Sequence, residues 1–152
     1  MTIFFVEDEF TFDIDVVEFK RILSQNNFPK FISNFENGNY VIESKISVGV
    51  LIINNFRSVG ISTNAKVTGD NEKTVLNLKS SQRPEYILFI LAFIVCFIAV
   101  CIKDFGLSLL WTTLIFLVVF FWFKFIIQSQ EENLHQNIKM HFRKLIIERN
   151  RN

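Results

Sequence analysis

Two runs of apolar residues dominate the pattern of this chain. Tyr86 to Ile102 reads YILFILAFIVCFIAVCI and Leu107 to Ile127 reads LSLLWTTLIFLVVFFWFKFII, with only Lys103-Asp104-Phe105-Gly106 between them. Neither run alternates, and neither carries a polar stripe at helical spacing, so each predicts a helix that is apolar all round. The 17 and 21 residues give roughly 25 Å and 31 Å of helix, against ~30 Å of bilayer hydrocarbon. Trp111 and Trp122 lie toward the two ends of the second run, where amphipathic rings sit at membrane–water interfaces. Lys124 within the last turn, and Arg83 and Lys103 flanking the first run, have stems long enough to reach headgroups. The pattern predicts a two-helix transmembrane hairpin. Two buried helices of a soluble protein fit less well, because a chain of this size has few apolar partners to cover them. A signal peptide is excluded by position, since the first run starts at residue 86.

A four-residue link cannot cross the bilayer, so both flanks of the hairpin are expected on one side. Lys66, Lys73, Lys79, Arg83, Lys139, Arg143 and Lys144 lie near the outer ends and only Lys103 lies in the link. The positive-inside rule then gives a multi-pass protein of the plasma (bacterial inner) membrane with both termini cytoplasmic.

Outside the hairpin the period changes to two. Tyr40, Ile42, Ile46, Val48, Val50 and Ile52 predict one long strand with a bend near Ser47 to Gly49, followed by a turn at Asn54-Asn55. Val59, Ile61, Ala65 and Val67 predict a second strand and Thr74 to Leu78 a third, giving an antiparallel three-stranded meander with one buried face. Nearer the start, Phe10, Phe12 and Ile14 alternate and predict a short strand paired with Ile3 to Val6 across Glu7-Asp8-Glu9. Asp15 is placed to cap a helix carrying Val16, Phe19, Ile22 and Leu23. Pro29 is read as opening a further short helix with Phe31, Ile32 and Phe35, which Asn37-Gly38 ends. After the second span, Leu134, Ile138, Phe142, Leu145 and Ile146 form one apolar helical stripe. Either the stripe packs on the meander, or Ile138, Phe142, Lys139 and Arg143 meet lipid headgroups or a partner helix. The first is favoured because the meander needs its apolar face covered.

The fold expected is therefore an α+β membrane protein. A cytoplasmic domain over 1–85 is a small antiparallel β-meander with covering helices, the transmembrane hairpin occupies 86–127 with spans at about 86–102 and 107–127, and 128–152 is a basic amphipathic helix. A net charge of +1 over 152 residues gives no electrostatic case for nucleic acid. The charge is uneven, with an acidic start and a basic end. Cys96 and Cys101 both fall in the first span, five positions apart, which is poor geometry for a bridge. Small residues Ala92, Cys96 and Ala99 form a stripe suited to close helix packing, within the hairpin or against another membrane helix.

Sites of catalysis are not legible. Phosphate-loop, dinucleotide, zinc-protease and paired-cysteine motifs are absent. His135 and His141 fall on nearly opposite faces of one helix and cannot share a metal, and Asp13 and Asp15 lack the rest of a calcium loop. No catalytic residue, cofactor or metal is expected. The partners expected are the lipid bilayer and either a protein partner or a second copy. The function expected is interaction or regulation at the membrane by a non-catalytic cytoplasmic domain; the alternative is an accessory subunit of a transporter or envelope complex.

Overall fold

Alternation along the N-terminal half builds an antiparallel sheet wider than a meander. A computed structural model describes residues 6–25, 27–45, 52–53, 56–57, 61–80, 84–103, 106–149 and 151. Its elements are β1 (Glu7–Phe12), α1 (Val16–Leu23), β2 (Phe31–Glu36), β3 (Asn39–Ser44), β4 (Ile52–Ile53), β5 (Phe56–Arg57), β6 (Ser62–Gly69), β7 (Thr74–Ser80), α2 (Pro84–Lys103) and α3 (Leu107–Arg149). Five strands form one sheet in the order β1-β7-β6-β3-β2, and β4 pairs with β5 in a separate two-stranded sheet. The chain divides into two units, Met1–Ser81 with Gln130–Asn152, and Gln82–Ser129.

In the first unit, register decides which side chains face the core. Phe10 lies opposite Leu76 and Leu76 opposite Val67; Asp8 lies opposite Leu78, Leu78 opposite Ala65, and Ala65 opposite Tyr40. These rows face inward, while Glu7, Glu9, Thr11, Asn64, Lys66 and Lys79 face out. On that outer face Lys79 pairs with its cross-strand neighbour Glu7 at 2.6 Å.

Two helical segments cover the inner face. Asp15 caps α1, its carboxylate accepting from the Val17 N–H at 3.3 Å, and the helix buries Phe19 and Leu23. Leu134, Ile138 and Phe142 of α3, at steps of four, complete the same core. Phe142 is its centre: its ring centroid is 4.5 Å from Phe19, 6.0 Å from Phe12 and 5.9 Å from Phe28. Burying such side chains contributes about 1.5–3 kcal/mol each. The C-terminal stripe of α3 therefore meets the chain's own sheet.

Three expectations are corrected. Phe31 to Glu36 is strand β2, not a helix. Asn37 and Gly38, with φ of 50° and 84°, are the two central residues of the β2–β3 hairpin. Positive φ at both is the condition for a type I′ turn, and the Asn-Gly pair is a hairpin signal as much as a helix stop. Glu7-Asp8-Glu9 is not a turn but the first half of β1, whose partner is β7. The long strand from Tyr40 ends at Ser44; the bend at 47–49 and the turn at Asn54-Asn55 lie outside the described residues.

The β6–β7 turn is held by Asp70, whose Oδ1 accepts from the Glu72 and Lys73 N–H groups at 3.0 and 2.9 Å. Those bonds hold its carboxyl below the usual range. Gly69 has φ +146°, and a Cβ there would stand 2.9 Å from Thr74 Cα.

The second unit has a different texture. Phe93 of α2 stacks on Phe116 of α3 with centroids 3.7 Å apart. Most large apolar side chains around this contact are open: Val118 is 63% exposed, Trp122 65% and Phe125 71%. Among the described residues, α3 contains one apolar stretch long enough to cross a membrane.

Replacing Phe142 by Ala should lower the stability of the sheet unit by about 3–5 kcal/mol, and Gly69→Ala by about 1–3 kcal/mol through backbone strain. Denaturant unfolding of the full chain in detergent measures both. An unchanged midpoint for Phe142→Ala would contradict a shared core.

Candidate functional site

Polar residues that occupy apolar phase positions mark the first site. Asp8 shares the inner face of β1 with Phe10 and Phe12, and Thr63 shares that of β6 with Ala65. His135 adjoins Leu134 on the buried face of α3. The three converge. His135 Nδ1 lies 2.7 Å from Asp8 Oδ2, and Nε2 lies 3.0 Å from Thr63 Oγ1. His135 is fully buried, Thr63 is 1% exposed, and the Asp8 side chain is 35% exposed.

Protonation follows from the partners. Burial lowers the His135 pKa more than the hydrogen bond and charge of Asp8 raise it, so the ring is neutral at pH 7. The Asp8 carboxylate accepts, so Nδ1 carries the proton. Nε2 then accepts from the Thr63 hydroxyl. A carboxylate, an imidazole and a hydroxyl in this sequence are the parts of a nucleophile–base pair with an orienting acid. The packing denies that use, because attack needs a reacting atom about 3 Å from the hydroxyl and Thr63 is sealed. The network instead ties β1, β6 and α3 together. Each such bond contributes about 0.5–1.5 kcal/mol, and stranding one partner costs about 1–3 kcal/mol.

A second feature is a groove of about 720 Å³ beside α3 in the same unit. Phe31, Met140 and Ile147 give it an apolar lining, and Lys30, Arg143, Lys144 and Arg151 stand around it with the single carboxylate of Glu148. His141 lies edge-on to Phe28 and Phe31, at 5.1 and 5.6 Å. Burial, and secondarily Lys144, hold its pKa below the ordinary value.

The residues singled out from sequence are dispersed. Trp111 and Trp122 are exposed on α3, and Lys124 is half-buried; Arg83 lies outside the described residues. Ala92, Cys96 and Ala99 are exposed, and the described ring contact with α3 is made by Phe93. Ile138 and Phe142 are in the core and are not partner-facing. Lys139 holds its ammonium 4.9 Å from the Phe10 ring centroid, and Arg143 stands at the groove. Asp15 is a helix cap, and among the described residues no three His, Cys, Asp or Glu side chains are grouped to hold a metal ion.

Asp8 and Thr63 escaped sequence reading, although each carried a signal. Both are polar residues in phase with a buried stripe, as is His135. Comparison with protein-family models, curated proteins and solved structures gives no match to this chain.

The lowered pKa of His135 has a signed consequence. Below pH ~6.5 the unfolded chain takes up a proton that the folded chain refuses, so this residue makes stability fall as pH drops toward its folded pKa. His141 acts in the same direction. Asp8→Asn removes a group that favours the cation and should steepen the loss between pH 7 and 5, while His135→Gln should flatten it. Unfolding midpoints at the two pH values measure the slopes, and identical slopes for all three proteins would contradict the assignment.

Proposed function

We propose that this chain is a two-span integral membrane protein whose cytoplasmic sheet unit is a non-catalytic module for protein interaction or regulation at the membrane. The observation that carries the reading is the apolar surface of α2 and of the first half of α3. Leu91, Val95, Ile98, Leu114, Val118 and Phe125 are all exposed, and no water-soluble state tolerates an apolar surface of that extent without a cover. The sheet unit has a closed core of its own, so the open surface is not a shortage of folding. Lipid is the cover that suits helices apolar on every side. The distribution of Lys and Arg supports cytoplasmic termini in a bacterial-type inner membrane.

The interaction role draws on the chemistry of the sheet unit. The buried Asp8–His135–Thr63 network is spent on holding elements together, while the groove is open, apolar and ringed by cations. A second reading, an accessory subunit of a transporter or envelope complex, is favoured by the open stripe of Ala92, Cys96 and Ala99. Small residues allow another helix to approach closely in lipid.

Topology is the decisive test. Cytoplasmic reporters fused to either terminus should be active and periplasmic reporters silent, and the chain should resist alkaline extraction from membranes. Val118→Arg, at mid-span, should cost about 2.5–3.5 kcal/mol of insertion and release a measurable soluble fraction. Active periplasmic reporters, or a chain that stays dissolved without detergent, would refute the reading.

A further inference from the structure

The groove beside α3 combines two properties that isolated surface residues lack. Met140 and Ile147 are 68% and 54% exposed and lie seven positions apart, so they share one helix face across two turns. With Phe31 they line a concavity rather than a flat patch. Its volume of about 720 Å³ falls in the range of ligand-binding clefts. The rim is charged with one sign. Four cations face one carboxylate, an excess of three. Lys30 donates to the neutral Asn137 Oδ1 at 2.9 Å, and Lys144 lies 3.7 Å from Glu148. Among the described residues, Arg143 and Arg151 have no carboxylate within ion-pair distance.

We infer that this groove docks an acidic amphipathic helix of a cytoplasmic partner protein. Apolar side chains about two turns apart on that helix enter over Met140 and Ile147, and carboxylates on its flanks pair with Arg143 and Arg151. This is the helix-in-groove mode of recognition, with charge complementarity setting orientation and excluding basic competitors. It rests on the interaction reading of the sheet unit and gives the partner a chemistry. A membrane surface is the competing occupant. A bilayer is flat on this scale and suits a convex amphipathic face; it would not fill a concave slot whose exposed apolar sides are Met140 and Ile147.

The test uses the full chain in phosphatidylcholine nanodiscs. The probe is a fluorescent synthetic helix with Leu at i, i+3, i+4 and i+7 and Glu on its flanks, and the control replaces every Glu by Lys. Anisotropy is read against empty discs. The Glu helix should bind at least about tenfold more tightly than the Lys helix. Met140→Ser with Ile147→Ser should weaken it by a similar factor. Arg143→Glu with Arg151→Glu should reverse the preference; both arginines are exposed, and thermal melts verify that these variants stay folded. Equal binding of the two helices, or binding unaffected by both double variants, overturns the proposal. So does the headgroup outcome: no preference between helices, with Met140→Cys becoming protected from a water-soluble maleimide once phosphatidylserine is added to the discs. Failure here leaves the reporter topology untouched, and reporters on the wrong side would sink the membrane reading while leaving the helix preference standing.

Discussion

Leu134, Ile138 and Phe142 give the five-stranded sheet a cover that the N-terminal helix is too short to provide. Four spacings between strands make the sheet roughly 19 Å wide, while the eight residues of α1 extend only about 12 Å. Phe19 and Leu23 therefore shield one region, and Phe10, Phe12, Phe31, Ile42 and Leu76 need a second helix above them. That helix comes from the far side of the apolar segment. Phe142 makes the dependence concrete, since rings from β1, α1 and the approach to β2 all meet it. The unit is one domain in space and two pieces in sequence.

The Asp8–His135–Thr63 network adds directional bonds to that dispersion contact. Apolar packing sets how closely a helix lies on a sheet, but it tolerates small rotations and slides. Two short hydrogen bonds from one imidazole, to different strands, fix the rotation of α3 about its axis and its position along it. The cost is a buried base in an apolar setting, relieved by a carboxylate on one side and a hydroxyl on the other.

Much of the architecture was legible. Period two located β3, β6 and β7, and Asp15 marked the start of α1. The stripe at 134, 138 and 142 marked the face of α3 that meets the sheet. What was misread has physical causes. Phe31, Ile32 and Phe35 fit a helical spacing as well as an alternating one, and only the φ values of Asn37 and Gly38 decide for a hairpin. Glu7-Asp8-Glu9 has turn-like composition, yet an edge strand with a solvated outer face accepts charges there. The network stayed hidden because its members come from three segments, and proximity across such separations is not a property of local pattern. The groove was hidden for a related reason: Arg143 and Met140 are ordinary surface residues until Phe31 is brought beside them.

The split core also imposes an order in time. Asp8 and His135 are 127 positions apart, and a ribosome delivers the strands long before their cover. Between completion of β7 and emergence of Phe142, about 60 further residues must be made, which at roughly 5–20 residues per second takes about 3–12 s. Throughout that interval the face carrying Phe10, Phe12 and Leu76 lacks the cover that Leu134, Ile138 and Phe142 provide, and only α1 shields part of it. The nascent sheet thus keeps an open apolar face until its cover arrives, and that arrival waits on the synthesis of 86–127, a segment from which no described residue enters the core cluster.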